Sequence, residues 1–460
     1  MNNPTNDNLE LNNKNYKIIQ SAVKNFNSVS NLSIPEGITS TVKKHLKSKK
    51  NYLVIDKDRL TAIDKTMIIV SNLTSTVWAD NKYKTLNWKI LHDQIKTTKN
   101  NVYTYKKILN ILTELNIIEV YKKNGRETYL AGARSKMYKL NDKYTEVSTV
   151  AYRLSNEVLI GSRSKSFFRE LSKISGNAIV SNLIMAYSMI EIKNSAELLS
   201  ISKELIKEGQ INPVTGKKEK KTVGKSGKIL TLLNGHKKSY FDSYSNDGKL
   251  IKGKTPRAFV EHHIKQFKGL TTVNGYMIPV IGSKNAGGRV YDSFTSSPKW
   301  IRDTVTMNGN ELVEVDVSCF HPNIASTIYG GTGKVFCHNE ISNYLGISRL
   351  EAKEKHLSFF NKEIYQMEKC ELYRYYLDNE PVMLTNIINE KKQYGYKKTS
   401  ERLFSTEVEV MTELIKAINE KDIYCLYVFD AIYVEKPYID IVKKEMAKAL
   451  ELFNINAKFK

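Results

Sequence analysis

Two aspartates in this chain are each bordered by apolar β-forming residues, and their spacing puts both where a strand ends. In Asn310 to Ala325, NELVEVDVSCFHPNIA, Val313, Val315 and Val317 alternate with Glu314, Asp316 and Ser318. Period two puts the valines on one face of a strand and the polar groups on the other. Pro322 suits the first turn of a following helix, so Asp316 falls between a strand end and a helix start, a place suited to a divalent cation. In Tyr424 to Glu435, YCLYVFDAIYVE, two apolar runs flank Phe429-Asp430-Ala431. This reads as a tight hairpin with Asp430 at its turn. Taken singly, each has an ordinary explanation, an edge-strand residue or turn chemistry. Brought together, they can bridge two Mg²⁺ ions, with Mn²⁺ a substitute, one lowering the pKa of an attacking hydroxyl and one holding a leaving phosphate. Without cations the two carboxylates would repel each other.

Between them lies SRLEAKEKHLSFFNK, Ser348 to Lys362. Arg349, Lys353 and His356 fall at i, i+4 and i+7 and share one helix face. Cations in register can clamp a triphosphate. The same pattern also describes an amphipathic surface helix whose cations face water.

The remaining chain must position these groups. Residues 1–50 are Asn- and Lys-rich and read as a loose polar arm. Residues 51–145 read as three helices and a hairpin, the order of a winged helix. Leu60 to Trp78 is the first helix, Leu86-Asn87-Trp88 leads into a second ending near Ile95, and Val102 to Leu115 is the third. IIEVYKK, a turn at Asn124-Gly125 and RETYLAG follow. The third helix carries Tyr103, Lys106, Lys107 and Asn110 on its polar side, and the wing carries Lys122, Lys123 and Arg126, groups that suit phosphates and base edges. A winged helix used for protein contacts is the alternative. Residues 146–254 form a helical region with a basic loop at 216–228, thumb-like or a linker. Residues 255–460 carry the paired aspartates.

The chain has 460 residues with 71 Lys+Arg against 48 Asp+Glu, a net charge of +23. Half of that surplus lies between Ile201 and Trp300, where 19 Lys+Arg face 7 Asp+Glu. A chain so basic repels itself unless a polyanion neutralises it, so nucleic acid is the expected partner. Cys319, Cys337, Cys370 and Cys425 form no C-x-x-C pair, which argues against a disulfide framework or a thiolate zinc site. No run of about 18 apolar residues is present, and the N-terminus lacks an apolar signal region. No membrane is expected, and the expected compartment is the cytoplasm of a bacterial or phage-infected cell.

Together the three segments resemble motifs A, B and C of the superfamily uniting family A (Pol I type) DNA polymerases with single-subunit phage and mitochondrial RNA polymerases. Motif A there is D-x-S at the end of a palm strand, matched by Asp316-Val317-Ser318. Cys319 after it is reminiscent of the RNA polymerase branch. Motif B is R-x-x-x-K, matched by Arg349 to Lys353, with Phe360-Asn361 near the place of a Tyr-Gly. Motif C is an apolar strand, His-Asp and a second strand, matched by Val428-Phe429-Asp430. Upstream, GGRVYDSFTSSPKWIR, Gly287 to Arg302, is similar to a G-R-[LV] segment that touches template and primer, which makes Arg289 and Arg302 nucleic-acid candidates. STEVEVMTELI, Ser405 to Ile415, stands where a helix preceding motif C is expected.

The resemblance covers residues 255–460 and implies an α+β fold: an N-terminal winged helix, a helical middle region and a C-terminal right-hand palm on an antiparallel sheet. Asp316 and Asp430 would be catalytic metal ligands, with the Val317 carbonyl assisting. Arg349, Lys353, His321, Ser318 and Phe360 would line the nucleotide site. The chemistry implied is attack of a primer 3′-hydroxyl on the α-phosphate of a nucleoside triphosphate, directed by a DNA template, with pyrophosphate leaving. Three positions depart from the pattern. His321 replaces the motif A Glu, Phe429 replaces the motif C His, and Ala431 replaces the following Glu. The aspartates are 114 positions apart, so the fingers must be reduced. A DNA polymerase of a plasmid, phage or mobile element is the leading expectation. An RNA polymerase or primase-like enzyme is the close variant. A non-catalytic replication initiator is the rival of another class, and a nuclease would draw on Glu314, Glu407 or Glu409 for further carboxylates.

Overall fold

The computed structural model describes residues 29–74, 83–97, 103–123, 125–127, 135–144, 147, 149–209, 263–264, 267–268, 271 and 275–460. The basic loop at 216–228 lies outside these residues. Within them the chain mixes helices with small antiparallel sheets around two hydrophobic cores.

The first core begins earlier than composition suggests. Strand β1 (Asn31–Pro35) pairs antiparallel with β7 (Thr149–Arg153), placing Leu32 opposite Tyr152. Helix α1 (Ile38–Lys47) buries Ile38, Val42 and Leu46, one apolar stripe at i, i+4 and i+8. The loose arm expected over residues 1–50 is therefore corrected for 31–47. Its polar composition hides a sparse stripe sufficient to bury a helix. Helix α2 (Arg59–Ser71) starts where the Asp58 carboxylate accepts the Thr61 amide at 2.7 Å, and it is buried from Thr61 to Val70. It ends at Ser71, short of the Trp78 expected, and Trp78 lies outside the described residues.

β2 (Lys84–Thr85), α3 (Trp88–Gln94), α4 (Thr104–Glu114), β3 (Ile118–Val120), the hairpin β4 (Lys122–Lys123) with β5 (Arg126–Glu127), and β6 (Met137–Leu140) follow. Strand β6 pairs with both β2 and β3. Gly125, at φ +76°, turns the β4–β5 hairpin. Asp64 of α2 is fully buried and accepts from Tyr152 Oη at 2.6 Å and from the Ser155 and Asn156 amides, both at 2.8 Å. It thereby fastens β7 and the start of α5 (Glu157–Ile174) to α2.

α5 joins the two cores: Leu159 lies in the first, Phe167 and Leu171 in the second. α6 (Ala178–Ala186) and β8 (Ile190–Glu191) belong to the second core as well, and α7 (Ser195–Gly209) follows. A five-stranded antiparallel sheet forms there, in the order β13 (Leu426–Val428), β14 (Ala431–Glu435), β12 (Asn310–Asp316), β11 (Thr306–Met307), β8. The boundary expected at residue 255 is thus also corrected, because 178–191 supply an edge strand and a helix to this sheet. Asn182 fixes the helix by donating to the Cys425 carbonyl at 2.7 Å and accepting the Cys425 amide at 3.1 Å. β9 (Val280–Ile281) and β10 (Val290–Tyr291) form a separate small ribbon, followed by α8 (Lys299–Arg302).

After β12 come α9 (Phe320–Ile328), α10 (His338–Leu345), α11 (Arg349–Phe359), α12 (Ile364–Glu368), α13 (Glu371–Asn379) and α14 (Pro381–Tyr394). The 22-residue α15 (Lys398–Asn419) leads to the hairpin of β13 and β14, and α16 (Ile439–Leu452) packs along α15. Leu403, Glu407, Val410, Met411 and Leu414, at helical spacing, form the buried stripe of α15.

Candidate active site

The sheet register brings the two aspartates together. Asp316, the last residue of β12, lies opposite Ala431, and the Val317 amide donates to the Asp430 carbonyl at 3.2 Å. Phe429 and Asp430 make the two-residue turn between β13 and β14, with Phe429 left-handed at φ +58°. A bulky residue in that region is strained and must be held by its surroundings. Burial pushes the Asp430 carboxyl up to about 7, and the nearby charges of Glu407 and Asp316 add to the effect. Burial also raises Asp316, as does Glu314, while Lys353, Lys460 and Lys299 oppose the rise. Each carboxylate is thus in a place where its own charge is disfavoured until a cation arrives.

The segment 458–460 lines the motif strand. The Ser318 amide donates to the Lys458 carbonyl at 2.7 Å, and the Lys460 amide donates to the Asp316 carbonyl at 3.1 Å. Cys319 is left-handed at φ +52° and caps α9. Its Sγ lies 3.1 Å from His338 Nδ1.

Arg349 and Lys353 are exposed on α11. Lys353 approaches the site, where it opposes the rise of Asp316, whereas Arg349 is felt at His338, which burial together with Lys353 and Arg349 depresses to about 4. His356 does not join them. It is buried, bonded to the Ala352 carbonyl and Tyr376 Oη, and burial drives its pKa to about 3, so it is neutral. Phe360 is likewise corrected. It is 3% exposed and packs on Phe359 and Tyr376, while its carbonyl accepts from Lys391 and Ser400. A base cannot stack on a ring already sandwiched in the core.

Arg289 and His321 meet at Glu407, which the sequence offered only as a reserve carboxylate for a nuclease. Arg289 donates from Nε to Glu407 Oε1 at 2.7 Å and from Nη2 to Oε2 at 2.6 Å. His321 Nε2 lies 2.8 Å from the same Oε2. Although burial alone would raise Glu407, His321 and Arg289 hold its carboxyl below the usual range. The guanidinium lies 4.0 Å from the Phe404 ring centre and 4.7 Å from that of Phe429. A signal for Glu407 did exist: it is an acid inside the apolar stripe of an amphipathic helix. Glu314 is also engaged, by Lys299 and by Tyr433 Oη at 2.7 Å. Arg302 lies 5.8 Å from the Tyr433 ring centre, on the same side of the sheet.

On the first core, Tyr103, Lys106, Lys107 and Asn110 of α4 are exposed, with Lys106 over the Tyr103 ring, and Lys122 is exposed on the hairpin. The side chains of Lys123 and Arg126 lie outside the described residues.

Among the described residues no group of three His, Cys, Asp or Glu side chains is arranged to hold a metal. Two adjoining carboxylates still fit Mg²⁺, which keeps most of its waters and is completed by substrate phosphates. No helix among them is long and apolar enough to cross a membrane. No family model and no curated protein matches the chain. Among solved structures it is similar to the POL domain of Pol1 from M. smegmatis in complex with DNA primer-template and dNTP, at a TM-score of 0.40 and 12% identity over 66% of this chain and 74% of that one.

Proposed function

We propose that this chain is a template-dependent nucleotidyltransferase, a DNA polymerase that replicates a plasmid, phage or other mobile element. The observation that carries the reading is the juxtaposition of Asp316, at the end of β12, and Asp430, in the turn before the paired strand β14, with the Asp316 charge raising Asp430 and Lys353 acting on Asp316. When bound there, two Mg²⁺ ions would supply activation of a hydroxyl and charge neutralisation on phosphate. The chain's own residues hold those two carboxylates on a stitched strand and turn. Arg349 and Lys353, one helical turn apart, offer cations to the triphosphate, and Ser318 stands beside Asp316. The carboxylates in reserve for a nuclease, Glu314 and Glu407, are instead committed to Lys299 and Arg289, which favours transfer over hydrolysis.

The first core is read as a winged helix. The short strand β2 between α2 and α3, and strand order β2-β6-β3 with a hairpin reaching out, support that reading. In it α4 enters the DNA major groove and Lys122, Lys123 and Arg126 meet phosphates.

The test is primer extension with Mg²⁺ or Mn²⁺ on a labelled primer–template, with deoxy- and ribonucleotides supplied separately. Extension by the wild type, and its fall by about 10³-fold or more in both Asp316→Asn and Asp430→Asn, is expected. Extension with ribonucleotides alone would give the RNA polymerase or primase variant. A DNA gel shift with no product under either set would leave the replication initiator.

A further inference from the structure

The geometry points to Arg289 as a positioning residue that holds the Asp430 turn through Phe429, rather than as a contact to template or primer. The inference rests on the polymerase reading for the role of Asp430. The clamp itself is a matter of contacts.

Phe429 occupies a left-handed conformation that glycine or asparagine ordinarily takes. Three groups hold its ring: Tyr291 at 5.5 Å, Tyr427 at 6.2 Å and the Arg289 guanidinium at 4.7 Å. Arg289 is itself immobilised. Its two donors grip both oxygens of Glu407, and its other face lies on Phe404. Only 16% of the Arg289 side chain and 1% of the Glu407 side chain are exposed. Little of that fork is left to meet a nucleic acid.

The first of the two glycines before Arg289 shows how the segment gets so close. Gly287, at φ +63°, leaves no room for a Cβ, which would fall 2.4 Å from the Phe404 backbone carbon. The Gly-Gly-Arg segment therefore lies directly on α15, and α15 presents Phe404 and Glu407 to it. The result is one path of contact from α15 through Arg289 and Phe429 to Asp430. Arginine suits this place because its planar fork can bond a carboxylate edge-on while both faces stack on rings. Lysine is a point charge and offers neither a bidentate fork nor two stacking faces.

The experiment uses full-length protein carrying Arg289→Lys, Phe429→Leu and both together, with Asp430→Asn as reference. Three quantities are read. Mn²⁺ binding is followed by electron paramagnetic resonance without DNA. Amide hydrogen exchange is followed over residues 425–435, and extension kinetics are resolved into kcat and KM for primer–template. Arg289→Lys is expected to weaken Mn²⁺ binding about 10-fold and to speed exchange at the turn, with KM for primer–template within about 2-fold. The double variant is expected to be no worse than the worse single one, since both residues act on one path. Unchanged Mn²⁺ affinity and turn exchange with a raised KM would overturn the inference and return Arg289 to nucleic-acid contact. Additive losses in the double variant would overturn it too. A wild type that neither binds Mn²⁺ nor extends primers would overturn the polymerase reading alone. Turn exchange would then still decide the clamp: faster exchange in Arg289→Lys supports it and unchanged exchange refutes it.

Discussion

Asp430 sits in a place that suits its neutral form, and this has a measurable consequence for the metal-free protein. Its folded pKa of about 7 lies above the ordinary carboxylate value, chiefly through burial. A raised acid contributes stability fully below the unfolded value near 4, and the contribution is lost as pH rises to about 7. Asp430→Asn should therefore stabilise the metal-free protein relative to wild type by an amount that grows from about pH 4 to 7 and is level above, reaching about 2 kcal/mol after allowance for partial solvent access. Denaturant melts at pH 5 and pH 8 check this, and equal midpoint shifts at both would contradict it. Mn²⁺ at pH 8 should raise the melting temperature of wild type but not of the variant. Gly287→Ala is a second prediction at single-residue resolution. Both its φ and the approach of Phe404 oppose a Cβ, so a loss above about 2 kcal/mol is expected by chemical denaturation.

Among the elements, the strand and hairpin bearing the aspartates fall where the sequence places them, although β14 is buried along its whole length rather than alternating. β12 ends on Asp316, and the turn between β13 and β14 falls on Phe429 and Asp430. Such local patterns are readable because each residue's face is set by backbone geometry alone. Helix α11 was readable as a helix, yet the partners of its face were not. His356 and Phe360 turn inward to Tyr376, because α13 packs there, and helix spacing says nothing of a neighbour 20 residues away. Lys353→Ala should raise KM for the nucleoside triphosphate about 10-fold or more, with Mn²⁺ affinity nearly unchanged. Steady-state kinetics with varied nucleotide test it, and an unchanged KM would remove Lys353 from the site. Asp64→Ala in α2 is the corresponding structural prediction. It strips four hydrogen bonds, from Tyr152 Oη, Ser155 Oγ and the Ser155 and Asn156 amides, and leaves those amides without their acceptor. A loss of about 3 kcal/mol is expected in thermal or urea unfolding.

For the molecule as a whole, the charge of +23 should appear as salt dependence. Lys106→Ala with Lys107→Ala should weaken DNA binding and reduce the slope of log affinity against log salt by about 2. Extension at saturating, preannealed primer–template should change little, because the proposed chemistry rests on Asp316 and Asp430 and not on the first core. Fluorescence anisotropy across a salt series measures the first and single-turnover extension the second. An unchanged slope would make the first core a protein-contact module.

The residues that carry the proposed chemistry were legible in the chain, because an alternating strand, a two-residue turn and a helical face are local patterns. So was the order of three helices and a hairpin in the first core, but not β2, β6 and β7, nor α1 and β1. The apolar residues of α1 and β1 are too few to stand out from a polar stretch until β7, more than a hundred residues later, pairs with β1. Tertiary structure alone decided that α6 and β8 join the sheet of the aspartates. It also decided that Arg289 turns inward to Glu407 and that Asp316 meets Asp430. Each of these depends on a contact between segments far apart in sequence, and the energy of such a contact comes from burial and pairing that exist only once the chain has closed on itself.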